Sequence, residues 1–244
     1  MDRMIYLSMT GAKTLMQRQE TLAHNLANAN TTGFRADTVA FRAVPIRGDG
    51  ATTRVFSLET TAGFDDKQGP VQQTGRSLDV AVRGNAWLAV QGQDGVEAYT
   101  RDGNLQVDNE GTLRTAGGRA VLSDGGPITV PQGARLSFGE DGTLTATDAN
   151  GRSSTVARLK LARAEDVRLT KGLDGLFRTE SGDPLPADLN ARLASGALEG
   201  SNVNVVESMV GMISLARQFE VQMKMLQTAE SDERAATRLL GPNG

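Results

Sequence analysis

The sequence contains no cysteine, and its 244 residues include a single histidine, His24. The absence of cysteine excludes disulfides, thiolate nucleophiles and zinc–thiolate sites. His24 lies in a helix-like segment beside Asn25 and Leu26, which indicates a helix-surface or interface residue rather than a catalytic one. The glycine-rich, nucleophile-elbow and zinc-protease motifs of common enzymes are also missing. We therefore expect a protein that is not an enzyme and that has no cofactor and no metal site.

Long apolar runs and concentrated positive charge are absent as well. No apolar run approaches the roughly 20 residues needed to span a bilayer, so we expect no membrane insertion. The formal net charge is -3 with both signs mixed along the chain, so we expect no nucleic-acid binding. Nothing in the sequence points to a small-molecule substrate. Lys13, Arg18 and Glu20 interrupt any candidate signal-peptide core, so we expect export without a cleaved signal peptide.

Glycine and proline are unevenly distributed, and their distribution predicts three zones. Residues 1–30 and 204–240 contain one glycine each, Gly11 and Gly211, and no proline, whereas residues 31–203 hold 24 glycines and six prolines. Helix interiors exclude these residues and turns recruit them. The predicted fold class is α+β, with long N- and C-terminal helices as a coiled-coil-type pair flanking a central antiparallel, turn-rich β domain. The predicted domains are a terminal helical assembly domain (1–30 and 204–240), an extended connector (31–75) and a β-rich outer domain (76–203).

Each predicted helix carries an apolar stripe with steps of three and four residues, which is typical of coiled-coil packing. In the first helix the seam positions are Ile5, Met9, Ala12, Met16, Ala23 and Leu26, and Leu15 and Leu22 widen the stripe. In the last helix Val205 and Met209 begin a seam that continues through Met212, Ala216, Phe219, Met223 and Leu226. Asn204 is a plausible N-cap for this helix, with Glu207 three residues later.

The central region has recurrent Asp-Gly and Gly-Gly turn signals with short β-type runs between them, which indicates hairpins in a sandwich or partial barrel. Trp87, the only tryptophan, lies in the alternating run Trp87–Val90, which predicts a core strand. Residues 31–75 are polar and irregular, which is why they are predicted to be a connector.

The spacing of the seams leaves their partner open. The two helices could pair with each other within one chain, or they could remain loosely folded and become ordered on assembly. Methionines on the seams, among them Met9, Met16, Met209, Met212 and Met223, slightly favour assembly, because methionine adapts to imperfect shared interfaces.

Three motifs in order resemble those of flagellar rod and hook proteins. The segment 24–35, His-Asn-Leu-Ala-Asn-Ala-Asn-Thr-Thr-Gly-Phe-Arg, resembles the family's N-terminal signature. Residues 99–105, Tyr-Thr-Arg-Asp-Gly-Asn-Leu, followed by Gly111-Thr-Leu, resemble its central block, and residues 200–209 resemble the start of its last helix. The resemblance implies assembly roles for an N-terminal set, Asn25, Leu26, Ala27, Asn28, Asn30, Thr31, Gly33 and Phe34, and for a C-terminal set, Gly200, Ser201, Asn202, Val203, Asn204, Glu207 and Met209.

Within the family the chain is most similar to proximal-rod members, on residues 1–6, 34–36, 43–45 and 217–224. A distal-rod or hook-family axial protein is the alternative, although the chain leaves no room for the extra outer domains of hook proteins. A secreted β-rich polysaccharide-binding protein or adhesin is the alternative from a different class. The family often has asparagine where this chain has His24, so the resemblance implies a weakly pH-sensitive contact at that position.

The resemblance implies a structural subunit of the proximal rod of the bacterial flagellar basal body. Such a subunit would self-assemble into a helical tube that crosses the periplasm, encloses the export channel and transmits torque. Its implied partners are itself, homologous rod proteins and the flagellar type III export apparatus.

Overall fold

The computed structural model of the chain describes residues 2–45, 55–165 and 167–240. The chain forms two compact units. Unit 1 contains Met1–Ala29, Ala36–Asp65 and Val203–Gly244, and unit 2 contains Asn30–Arg35 and Asp66–Asn202. The chain therefore passes between the units four times, and both of its terminal segments belong to unit 1.

Unit 1 consists of two helices and a hairpin. Its elements are α1 (Asp2–Ala27), β1 (Asp37–Pro45), β2 (Val55–Phe64) and α2 (Val205–Leu240). Strands β1 and β2 pair antiparallel, with an irregularity in register between Ala40 and Phe41. The two helices pack antiparallel, since Gly11 of α1 lies opposite Gln222 and Leu22 lies opposite Gly211.

The prediction of two long terminal helices is wrong for the N-terminal one, while the mixed α+β class is retained. Helix α1 has 26 residues and is short beside the 36 residues of α2. Helix α1 ends at Ala27 because the residues that follow it adopt hydrogen bonds and backbone angles that are incompatible with a continuing helix. Asn28 donates from its side chain to the carbonyl of His24 at 2.9 Å, and Gly33 adopts a φ of 66°.

Unit 2 is built from short antiparallel strands. They are β3 (Val71–Gln73), β4 (Val80–Val82), β5 (Ala86–Gln91), β6 (Glu97–Thr100), β7 (Leu105–Val107), β8 (Leu113–Thr115), β9 (Leu122–Ser123), β10 (Gly126–Pro127), β11 (Arg135–Phe138), β12 (Thr143–Thr147), β13 (Ser153–Arg158), β14 (Leu161–Arg163), β15 (Leu169–Lys171), β16 (Phe177–Thr179), β17 (Leu193–Ser195) and β18 (Ala197–Glu199). The largest sheet has the order β14-β5-β6-β16-β15, and a second sheet has the order β11-β12-β13. The remaining strands of this unit form two-stranded pairs, including β18 with β3 and β17 with β4.

The core of unit 2 lies on the inward faces of these strands. Strand β12 alternates, with Leu144 and Ala146 buried between partly exposed threonines. This period of two is what a half-buried antiparallel strand requires. Strand β5 is buried along almost its whole length, and Trp87 within it is 2% exposed and lies 4.5 Å from the ring of Phe177.

The segment 31–75, for which the sequence predicted an extended connector, contains β1, β2 and β3. Residues 46–54 of that segment lie outside the described residues. Among the helices in the described part of the chain, neither is both long and apolar enough to cross a membrane.

Candidate assembly site

The two helices of unit 1 contact each other through small and polar positions as well as leucines. A side-chain carbon at Gly211 would lie 2.9 Å from Leu22 Cδ1, and one at Gly11 would lie 3.4 Å from the Gln222 side chain. Ser8, Asn25 and Ser208 are buried on the same faces. Small residues at these positions let the helix backbones approach closely, since a larger side chain would have to be displaced.

Many of the predicted seam positions lie beside this contact rather than in it. In α1, Met9 and Met16 are about half exposed, Ala23 is exposed, and Ala12 and Leu26 are half-buried. In α2, Met212, Phe219 and Leu226 are half-buried, and Val205, Met209, Ala216 and Met223 are exposed. Ile5 lies in α1, but its side chain is outside the described part of the structure. The helices therefore keep an apolar set of side chains that no other residue in the described part of the chain covers.

The N-terminal motif fixes the exit of α1. The buried Asn25 side chain makes two bonds to Asp37, accepting from its backbone N–H at 2.8 Å and donating to its carbonyl at 2.9 Å. His24 Nδ1 lies 2.6 Å from Asp37 Oδ2, which gives this histidine an acidic partner. Asn25 and His24 together attach the last turn of α1 to the start of β1.

The end of the same motif packs against the central motif within unit 2. Gly33 lies so close to Arg101 that an added Cβ would be 2.2 Å from the Arg101 carbonyl carbon. The Thr32 hydroxyl donates to Asp102 Oδ1 at 2.8 Å. Burial raises the pKa of the Asp102 carboxyl above its ordinary value, although this bond from Thr32 acts in the opposite direction. Lys171 Nζ lies over the Phe34 ring, 3.8 Å from the ring centre. Of the other predicted residues here, Leu26 is half-buried and Ala27, Asn30 and Thr31 are exposed.

The C-terminal motif makes backbone contacts to the segment that begins at Asp66. The Gly200 N–H donates to the Pro70 carbonyl at 2.8 Å, and the Asn202 side chain donates to the Lys67 carbonyl at 2.9 Å. Ser201 is buried and Val203 is half-buried. Asn204 caps α2, since its Oδ1 accepts the Glu207 N–H at 3.2 Å, while Met209 of the next turn is exposed.

A buried ionic triad joins the three motifs inside unit 2. Arg35 Nη1 lies 2.5 Å from Glu199 Oε1, and Arg101 Nη1 lies 3.2 Å from Glu199 Oε2. The three side chains are at most 1% exposed. Burial lowers the pKa of Arg101 to about 10, while Glu199 opposes that shift. Both guanidinium groups also lie over Trp87, at 5.8 Å for Arg35 and 5.0 Å for Arg101.

The sequence interpretation did not single out Glu199 or Arg101 as site residues. Both lie within or next to the family-like motifs, and each is a charged residue among turn and strand residues. A charged residue within or next to a motif is the signal that could have identified them, because a charge that folding buries needs a partner.

Comparisons with known protein families match the same three regions. Residues 5–35 match the model described as flagella basal body rod protein. Residues 81–146 match the flagellar hook protein FlgE/F/G D1 domain, and residues 194–239 match the flagellar basal body rod FlgEFG protein C-terminal region. These models cover α1 with its exit, much of unit 2, and α2 with its entry.

The relatives cover nearly the whole chain, and the chain therefore belongs to the flagellar basal-body rod protein family. Flagellar basal-body rod protein FlgF of Salmonella typhimurium is 45% identical over 249 residues, which cover 98% of this chain and 99% of the relative. FlgF of Escherichia coli is 43% identical with the same coverage. Flagellar basal-body rod protein FlgG of Bacillus subtilis is 32% identical over 94% of this chain and 96% of the relative.

Family membership makes this chain a structural subunit of the flagellar basal-body rod that assembles with other rod proteins, and its location is the basal body. The resemblance predicted from the motifs is thereby confirmed. Nothing favours the alternative of a secreted polysaccharide-binding protein or adhesin.

Proposed function

We propose that this rod subunit assembles through the apolar side chains that α1 and α2 leave exposed, with neighbouring subunits covering them. The observation that carries the proposal is the exposure along α2. Val206 is 70% exposed, Val210 62% and Ile213 58%, although α2 already packs on α1 in the same chain. An apolar stripe of this kind marks an interaction surface, because water solvates it poorly.

The energy available from this surface is large enough to drive polymerisation. Complete burial of a valine, isoleucine or methionine side chain contributes about 1.5–3 kcal/mol. Several such side chains on each subunit, repeated at head-to-tail contacts that do not close into a ring, would generate a helical tube. Packing of helix against helix would then transmit torque, and no catalytic chemistry is required of the chain.

The partners in this proposal are copies of this chain and homologous rod subunits. The similarity to FlgF proteins over nearly the whole chain supports a position in the proximal rod, with the FlgG-like distal rod as the alternative. We further propose that subunits travel unfolded through the flagellar type III export apparatus and assemble across the periplasm. The helices would form the layer around the export channel. The absence of cysteine suits this route, because no disulfide has to form after export.

The test is a substitution in the exposed stripe, made in a strain that lacks its own copy of the gene. Ile213→Asp would bury an unpaired carboxylate at a subunit contact, so we expect loss of the subunit from isolated basal bodies and loss of motility. Ile213→Leu is the matched control, because it keeps an apolar side chain of the same volume at the same position. Normal basal bodies and normal swimming with Ile213→Asp would refute the proposed surface.

A further inference from the structure

The chain enters and leaves unit 2 through three short segments, and one carboxylate contacts all of them. The segments are residues 30–35, the residues that follow Asp66, and the residues that end at Asn202. Glu199 belongs to the last segment, and its Oε1 accepts from Arg35 Nη1 in the first segment at 2.5 Å. The same oxygen accepts the Gly69 N–H of the second segment at 3.0 Å.

Backbone bonds reinforce the same grouping. The Gly33 N–H donates to the Glu199 carbonyl at 2.8 Å, and the Asn202 N–H donates to the Phe34 carbonyl at 3.3 Å. The three segments also approach closely, since a Cβ added at Gly69 would lie 2.1 Å from the Gly200 carbonyl oxygen. All four points at which the chain passes between units are therefore within a few residues of the Glu199 side chain.

The hydrogen-bonding groups of this cluster are not all satisfied. Both guanidinium groups bond to Glu199, and Asp66 adds a second negative charge that acts on Arg101. In the described part of the chain Nε and Nη2 of Arg35 and Nε of Arg101 have no hydrogen-bond acceptor. Replacement of a buried ionic cluster by apolar side chains of similar volume is often neutral or stabilising. Guanidinium–carboxylate bonds are directional, whereas apolar contacts are not. Each such bond constrains the distance between donor and acceptor and the angle at which they meet.

We infer that the Arg35–Glu199–Arg101 triad positions the subunit for assembly. It fixes the three segments of unit 2 in one relative position, called the register here, which a subunit needs in order to enter the rod. The inference rests on the proposed function. It assigns to these residues a role in register that is separate from their contribution to the stability of unit 2.

The first test uses the unaltered protein and measures native-state amide hydrogen exchange. The amides of Gly33 and Gly69 should exchange only when unit 2 unfolds, as should the Ala89 amide in the core, which donates to the Lys160 carbonyl at 3.0 Å. Amide protection factors of Gly33 and Gly69 that are more than about tenfold lower than that of Ala89 would show local opening of the segments. This result would overturn the inference.

The second test separates register from stability. In the full chain, Arg35→Met, Arg101→Met and Glu199→Leu together should leave the melting temperature of unit 2 unchanged or raised. The same variant should exchange its Gly33 and Gly69 amides at least about tenfold faster relative to Ala89, and its incorporation into basal bodies should fall at least about tenfold. Incorporation equal to that of the wild type would overturn the inference. If the triple variant does not fold, the exchange measurement on the unaltered protein decides.

The matched control is Glu97→Gln in the same unit. Glu97 pairs with Lys160 at 2.8 Å and accepts the Tyr99 hydroxyl, but it does not contact the three segments. This variant should enter basal bodies normally even if unit 2 loses stability, and a loss as large as that of the triple variant would overturn the inference. If the unaltered chain itself fails to restore a rod, the proposed function fails instead, and the exchange experiment still tests the register.

Discussion

Replacement of Gly33 by alanine tests the packing of the N-terminal motif on the central motif most directly. Gly33 has a φ of 66°, and an alanine Cβ there would lie 2.2 Å from the Arg101 carbonyl carbon and 2.5 Å from its oxygen. The left-handed backbone alone costs an L-residue about 1–2 kcal/mol. The steric conflict is with backbone, so the segment 30–35 has to move away from Arg101.

That movement breaks bonds that can be counted. The Thr32–Asp102 hydrogen bond would be lost, and a bond of this kind contributes about 1 kcal/mol. The Arg35–Glu199 pair would be strained, and removal of one partner from a buried pair costs about 3–5 kcal/mol. A total of at least about 4 kcal/mol corresponds to a fall in melting temperature of roughly 10 °C for a unit of this size.

The control is Gly151→Ala, because Gly151 has a φ of 78° but nothing within 4 Å of the added Cβ. Only the backbone cost remains there, so its melting temperature should fall by about 3 °C. Fluorescence of Trp87, the only tryptophan, reports unit 2 specifically. If the two variants melted within about 2 °C of each other, the close approach of Gly33 to Arg101 would be refuted.

Three further predictions concern pH and helix packing. Burial raises the pKa of Asp102, so its ionised form destabilises unit 2. The free energy of unfolding of the wild type should therefore fall relative to that of Asp102→Asn as the pH rises from about 4 to 7. A difference between the two that stays constant with pH in urea unfolding would contradict the prediction. His24→Asn removes the contact to Asp37, so isolated rods of the variant should lose at most about 1 kcal/mol of stability, because the pair is exposed, and a larger loss in heat dissociation would contradict this. Gly11→Ala should stabilise unit 1 by about 0.5–1 kcal/mol through helix propensity, whereas Gly211→Ala should gain less because its Cβ would meet Leu22 at 2.9 Å, and equal gains in calorimetry would argue against the close crossing.

Glycine and proline placement was enough to predict helices at both ends and a β-rich middle, because these residues act through local backbone geometry. The end of α1 is an example, since Asn28 bonds back to the His24 carbonyl and Gly33 adopts a left-handed φ of 66°. The length and phase of the helices were harder to predict. Apolar periodicity identifies a stripe, but it does not tell which part of the stripe another helix of the same chain covers. The positions that face the partner helix include Gly11 and Gly211, which a hydrophobic pattern ignores.

The candidate site was only partly predictable for a related reason. Asn25 could be selected because it belongs to a local motif, and its contacts to Asp37 span 12 residues. The Arg35–Glu199 pair spans 164 residues, and the local sequence around either residue does not indicate that the other is its partner. Its existence depends on the pairing of β18 with β3 and on the close approach of Gly69 to Gly200, which are properties of the folded unit.

The interleaved order of the two units has a consequence for the folding of α1. In an unfolded chain, pairing of α1 with α2 would close a loop of about 180 residues, with an entropic cost of about 5 kcal/mol plus a constant. Once unit 2 has folded, Gly33 is bonded to Glu199 and that loop is already closed. Unit 2 thus raises the effective concentration of the two helices for each other. Helix α1, although it comes first in the chain, should be among the last elements to acquire its partner.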